Sequence, residues 1–224
     1  MKQVTLGLKP SYRYILPENY ISDGHDFVEI GGIRWATMNV GAKDVTDSGL
    51  YFAWGETKGY KPEEVGKTKR FTWKDYKYNK HKLFCNIQLS KYNDEDKLIT
   101  LRPQDDPVTA NWGGAWRLPT KEEFVALGDA VTTEWVKNYQ GSGVNGRLMT
   151  DKNDSTKQLF FPAAGCGSDG SVCDVGPFGD YWSSSLYKSV PMYSHFLDVA
   201  SSYVEWDGYG NRHHGFSVRG VLDV

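Results

Sequence analysis

The residues able to do chemistry fall into four groups, and none has the spacing of a known catalytic centre. His213-His214 is the most tempting as a metal site. Neighbouring residues on a strand point to opposite faces, so the pair chelates only from a loop, and no third ligand stands nearby in sequence. A surface role fits it better. The five histidines show no H-E-x-x-H spacing. Glu122-Glu123 offers two carboxylates, but adjacent helical positions point apart and one face cannot hold both. Trp182-Ser183-Ser184-Ser185 lacks the G-x-S-x-G elbow of a serine hydrolase. The three cysteines, Cys85, Cys166 and Cys173, include no C-x-x-C pair and no Cys/His array, which argues against structural zinc. Their odd number argues against a disulfide framework. Cys166 and Cys173 flank the short stretch GSDGSV and either close a small loop or serve as small buried fillers. Such an inventory implies binding, not catalysis.

The residues suited to binding are concentrated between Asp180 and Val224. Trp182, Phe196, Val204, Trp206, Phe216 and Val218 are bulky and apolar, as core-facing strand positions should be. Interleaved with them are Tyr187, Tyr193, His195, Tyr203, Glu205, Asp207, Tyr209, Asn211, His213 and His214. This second set has the composition of a recognition surface, in which Tyr supplies rigid area with a polar tip and Asn, Ser and Gly supply adaptable hydrogen bonds. Period-two alternation puts Val204 and Trp206 opposite Tyr203, Glu205 and Asp207. The Gly208–Gly210 stretch carries Tyr209 and Asn211 past the strand end. Ala200-Ser201-Ser202 turns back to a strand bearing Tyr193 and His195. The ten residues are therefore expected to be mostly exposed on one contiguous face.

The elements that must hold this face come earlier. Residues 1–24, with Pro10 and Pro17, read as an N-terminal arm, extended or an edge strand, leading into a domain over 25–224. Phe27–Ile30 and Ile33–Thr37 flank a Gly31-Gly32 turn and read as a hairpin. Gly49–Gly55 is a short apolar strand. Residues 56–110 are Lys-rich and irregular, as long surface loops would be, with a solvated lysine face. A helical turn is expected within Pro103–Asn111. In WGGAWRLPTKEEFVALG, Thr120 and Glu123 form a capping box. The predicted helix runs from Thr120 to about Leu127, buries Phe124, Val125 and Leu127, and is capped by Gly128. Asn145-Gly146 suits a type I′ turn, and Gln158–Gly165 a buried strand stopped by proline.

Composition agrees. The aromatic content is 14%, with 8 Trp, 14 Tyr and 24 Gly in 224 residues. That favours short strands and long loops over a helix bundle. A formal net charge of -2 gives no electrostatic footprint for nucleic acid or an anionic membrane. No run of about 18 apolar residues spans a membrane, and Met1–Tyr20 lacks a basic start followed by an apolar core.

Six motifs then occur in order: Trp54-Gly55-Glu56, Asn111–Gly114, Trp116–Thr120, Phe161–Gly165, Tyr181–Ser185 and Gly215–Arg219. Together this set resembles the Fibrobacter major paralogous domain family, which is similar in turn to the C-type-lectin-like fold of formylglycine-generating enzymes. The resemblance implies an α+β fold with few helices, short twisted antiparallel strands and long ordered loops. The C-terminal layout also resembles the variable proteins of diversity-generating retroelements, which display a hypervariable patch on a lectin-like fold. There, adenine-directed diversification turns Asn-type codons into Tyr, Asp, His, Ser and Gly. Formylglycine chemistry needs a late cysteine pair. Here Cys166 and Cys173 precede the terminal strands and Gly220 follows Arg219, so catalysis does not carry over. The resemblance also brings in calcium, with Asp105, Asp106, Asp169 and Asp174 as candidate ligands, although no loop has an EF-hand register.

The expectation is a non-catalytic, receptor-recognising domain at a bacterial or phage surface, with a protein or glycan ligand. A carbohydrate-binding or adhesin module is the alternative, and a degenerate formylglycine-type oxidase the third reading.

Overall fold

The computed structural model describes residues 21–22, 24–81 and 87–223. The expected arm over 1–24 falls outside them except for Gly24 and the short strand β1 (Ile21–Ser22), and so does Cys85.

Strands dominate, and the described residues hold two α-helices. The predicted Gly-Gly hairpin is present as β2 (His25–Ile30) and β3 (Ile33–Asn39). Its turn residues Gly31 and Gly32 have φ of 62° and 77°, which side chains resist. β1 pairs with β2, and β12 (Arg219–Asp223) pairs with β3, completing a four-stranded antiparallel sheet. A second sheet joins β4 (Val131–Val136), β5 (Gly146–Asp151) and β6 (Gln158–Pro162). A small hairpin joins β7 (Cys166–Ser168) to β8 (Ser171–Cys173). The sheet carrying the candidate surface is β9 (Phe178–Leu186), β10 (Tyr193–Ala200) and β11 (Val204–Asn211), with β10 in the middle.

Helix α1 (Pro107–Trp112) follows a 3-10 turn at Pro103–Asp105 and is capped by the Asp106 carboxylate, which accepts from Val108 N at 2.8 Å and Thr109 N at 3.1 Å. Helix α2 (Lys121–Ala130) has the capping box that Thr120 and Glu123 predict. Arg117 grips the same Glu123 with two nitrogens, at 2.8 and 2.6 Å. Three local expectations at α2 and β5 are corrected. Gly128 lies inside α2 instead of capping it, because the Trp206 indole packs where its side chain would be. Val125 is exposed, since only Phe124 and Leu127 face the core. Asn145-Gly146 is not a tight turn: Gly146 pairs with both Val136 and Pro162, and the left-handed turn residues are Asn138, Gln140, Gly141 and Gly143.

The described residues between 56 and 106 are irregular as expected, but they are not surface loops throughout. Phe71, Trp73, Tyr76, Tyr78 and Tyr92 are buried in the larger core, with Trp54, Trp116, Trp182 and Phe216. Aromatic rings make up for missing strands by filling volume. The lysine face is also corrected at Lys69, which is buried and donates to both Glu56 oxygens (3.0 and 2.8 Å) and to the Asp75 carbonyl (2.9 Å). A second core lies under α2, with Trp35, Phe124, Phe161, Tyr181, Leu197 and Val199 and, at its edge, Val204 and Trp206.

Candidate functional site

The register of β10 and β11 decides where the predicted surface lies. His195 stands opposite Tyr209, Tyr193 opposite Asn211, and Phe196 opposite Gly208; beyond these, Asp198 stands opposite Glu205. Two steps along β10 thus match three along β11, which is a β-bulge. Over Tyr203–Trp206 the expected alternation holds, with Tyr203 and Glu205 exposed and Val204 and Trp206 partly buried against the second core. After the bulge every side chain changes face. Tyr203 and Glu205 therefore share a face with Asp198, whereas Tyr209 and Asn211 share the other with Tyr193 and His195. The single contiguous face expected from sequence is divided in two, meeting at one cleft.

On one side, four rings form a surface cluster. Tyr187 stacks on Tyr209 with centroids 4.2 Å apart, meets His195 edge-on at 5.2 Å and lies 6.4 Å from Tyr193, which is 6.0 Å from Tyr209. Tyr209 is 52% exposed, whereas Tyr187, Tyr193 and His195 are half-buried by one another. The His195 Nδ1 lies 3.1 Å from the Asp207 carbonyl, leaving the Asp207 side chain in solvent.

On the other side, a cleft of about 500 Å³ is bordered by Tyr193, Tyr203, Tyr209, Asn211 and His214 of the predicted set. It also contains Phe178, Asp180, Phe196 and Asp198, which the sequence reading did not single out as binding residues, and Asp174, named there only as a calcium candidate. Asp180 and Asp198 face each other across β9 and β10. Burial, then the charges of Asp198 and Asp174, push the Asp180 carboxyl well above its ordinary value. Burial also raises Asp198, although the Tyr203 hydroxyl donates to its Oδ2 at 2.8 Å. The signal was present: Asp180 and Asp198 lie two residues from Trp182 and Phe196, on the same faces.

His213 is corrected from surface to core. It is 7% exposed, with its Nδ1 2.9 Å from the Phe71 carbonyl and its ring 4.6 Å from Trp73. His214 is partly buried and meets His213 edge-on at 4.5 Å. Burial, then the neighbouring His213, lowers His214 to about 4, so it is neutral at pH 7. Between Asn211 and His213 sits Arg212, fully buried and invisible to pattern reading. Its guanidinium lies 4.6 Å from the Trp54 ring centre and 5.5–5.8 Å from those of Tyr76, Tyr78 and Tyr92. It also donates to the Tyr76 hydroxyl (2.9 Å) and the carbonyls of Tyr92, Pro191 and Lys91 (3.0, 2.9 and 3.2 Å). This fixes the chain directly after the cleft.

Two of the calcium candidates are occupied by the protein itself. Asp105 accepts from the Tyr78 and Tyr92 hydroxyls, each at 2.7 Å, and from Lys91. Asp106 serves α1 and the Leu118 amide (2.8 Å). Asp169 sits on the β7–β8 turn and Asp174 at the cleft, both exposed. Among the described residues no group of three or more His, Cys, Asp or Glu side chains is placed to hold a metal ion. Cys166 and Cys173 are opposed across β7 and β8 as free thiols, and burial, then Asp180, pushes Cys166 up to about 12. Among the described residues no helix is long and apolar enough to cross a membrane.

No family model, curated protein or solved structure matches the chain.

Proposed function

We propose that this is a non-catalytic recognition domain on a C-type-lectin-like scaffold, displaying a variable surface as the variable proteins of diversity-generating retroelements do. The observation that carries this reading is the ring cluster of Tyr187, Tyr193, His195 and Tyr209 beside an open cleft. Exposed aromatic side chains grouped on a rigid sheet mark contact surfaces. Tyr203, Glu205, Asp207, Asn211 and His214 extend that surface around the cleft; His213 belongs to the support beneath it. The ligand is a protein or a glycan on another surface. The exposed Tyr209 ring keeps the carbohydrate reading as the alternative, since sugar rings stack on such faces.

Two measurements test the proposal. The neighbouring DNA should hold a near-copy of the 3′ coding stretch that differs at adenines. Replacing Tyr187, Tyr193, His195 and Tyr209 together by Ser should leave the melting temperature almost unmoved, because a surface built for exchange is not part of the core. A cooperative collapse of stability in that variant would end the reading. Selective retention on a glycan array would move the assignment to the carbohydrate module, and aldehyde formation on a cysteine peptide to the oxidase.

A further inference from the structure

We propose that the cleft beside the ring cluster binds an organic cation, an alkylammonium or guanidinium group presented by the ligand. This rests on the recognition reading above and names the chemistry of the same site.

Asp180 and Asp198 stand directly opposite each other on adjacent strands, an arrangement that like charges disfavour. Among the described residues no ion pair neutralises either one. Arg147, buried at this end of the sheet, is engaged by the Ala200 and Tyr203 carbonyls instead. The Asp198 Oδ2 has the Tyr203 hydroxyl, but its Oδ1 is buried and has no hydrogen-bond partner. A buried acceptor left unpaired costs free energy that a donor from a ligand can recover. Elsewhere this chain satisfies its buried carboxylates: Asp105, Asp106 and Glu56 each receive several donors. Among the buried carboxylate oxygens of the described residues, the unpaired one belongs to a residue that lines the cleft.

The walls suit the same guest. Tyr193, Phe178, Phe196, Tyr203 and Tyr209 line the cleft. Aromatic faces attract ammonium and guanidinium groups and tolerate their apolar stems. Gly208 and Gly210 place no side chain over Phe196, which keeps the floor open. His214, the basic residue on the lining, is neutral at pH 7 and does not repel a cation. At about 500 Å³ the cleft exceeds one amino-acid side chain, so the cation is one part of a larger ligand. The chain itself already uses this chemistry once, holding Arg212 in a box of four aromatic rings.

The test is a titration of the full chain followed by amide NMR at Gly208 and Gly210. The probes are Nα-acetyl-arginine amide, Nα-acetyl-lysine amide and tetramethylammonium, with Nα-acetyl-norleucine amide as the uncharged control. Saturable shifts are expected with the three cations and not with norleucine. Binding by tetramethylammonium alone would point to quaternary ammonium and overturn the hydrogen-bonding half of the proposal. Asp180→Asn and Asp198→Asn should each weaken the arginine and lysine probes about tenfold, while thermal melts show both variants folded. Equal binding of norleucine, or unchanged affinity in both folded variants, overturns the cation site. Tyr187 and His195 lie outside the cleft lining, so a variant with Ser at those two positions alone tests the recognition reading separately. Cation binding by a chain whose ring cluster proves structural would sink only that reading. A silent cleft beside a replaceable ring cluster would sink only the cation.

Discussion

The Trp206 indole packs against Gly128 in the last turn of α2: a Cβ placed at 128 would come within 2.7 Å of the ring. A glycine inside a helix costs about 1 kcal/mol relative to alanine. Here that cost allows the β11 strand to approach the helix closely at Trp206.

Gly128→Ala should therefore destabilise, against its better helix propensity, because overpacking costs roughly 1–3 kcal/mol. Trp206→Ala should lose about 3 kcal/mol, the lower end for a tryptophan, since the ring is only partly buried. The double variant should lose less than the sum, because each change removes the other's neighbour. Urea denaturation midpoints measure all three, and strict additivity would show that the contact carries no energy.

Arg212 is expected to be irreplaceable. Arg212→Ala leaves the Tyr76 hydroxyl and three carbonyls without their donor in a buried box and should cost at least about 3 kcal/mol. Arg212→Lys should recover little, since an ammonium cannot span acceptors placed for a planar fork. A lysine variant with wild-type stability would refute the box as a support.

Acid stability should depend on Asp105. Burial works against its charge, but the donors Lys91, Tyr78 and Tyr92 outweigh it and hold the carboxyl at about 2. The unfolded chain has the ordinary value of about 3.9. A depressed folded pKa gives stability that is fully present above the unfolded value and is lost as pH falls through the folded one. The contribution, about 2 kcal/mol, should thus disappear between about pH 4 and pH 2. Asp105→Asn should flatten the acid limb of a stability–pH curve in that window, and an unaltered limb would count against the assignment.

Asp180 should behave oppositely. Its folded pKa is raised, so the folded chain resists losing this proton, and stability falls as pH rises above the ordinary aspartate range. Asp180→Asn should raise the melting temperature at pH 7 by roughly 2–4 °C, with the gain vanishing below about pH 4. A carboxylate whose removal stabilises the fold is one retained for something other than folding. A lower melting temperature at pH 7 would give Asp180 a structural role instead.

What the sequence determined by itself was local. The Gly31-Gly32 hairpin, the Thr120–Glu123 capping box, the helical turn near Asp106 and the alternation from Tyr203 to Trp206 each follow from contacts within a few residues. Trp182, Phe216 and Val218 were legible as core for the same reason, through strand periodicity. The rest was decided by packing between distant segments. A bulge in β11 depends on how its neighbour pairs, so periodicity could not show that Tyr209 and Glu205 face opposite ways. Gly128 looked like a cap because nothing nearby in sequence announces an indole 78 residues later. Lys69 and His213 looked solvated because charge and polarity favour water, and Arg212 drew no reading at all, until carboxylates, carbonyls and rings from far along the chain satisfy them. The pairing of Asp180 with Asp198, on which the cleft chemistry rests, likewise exists only once β9 and β10 meet.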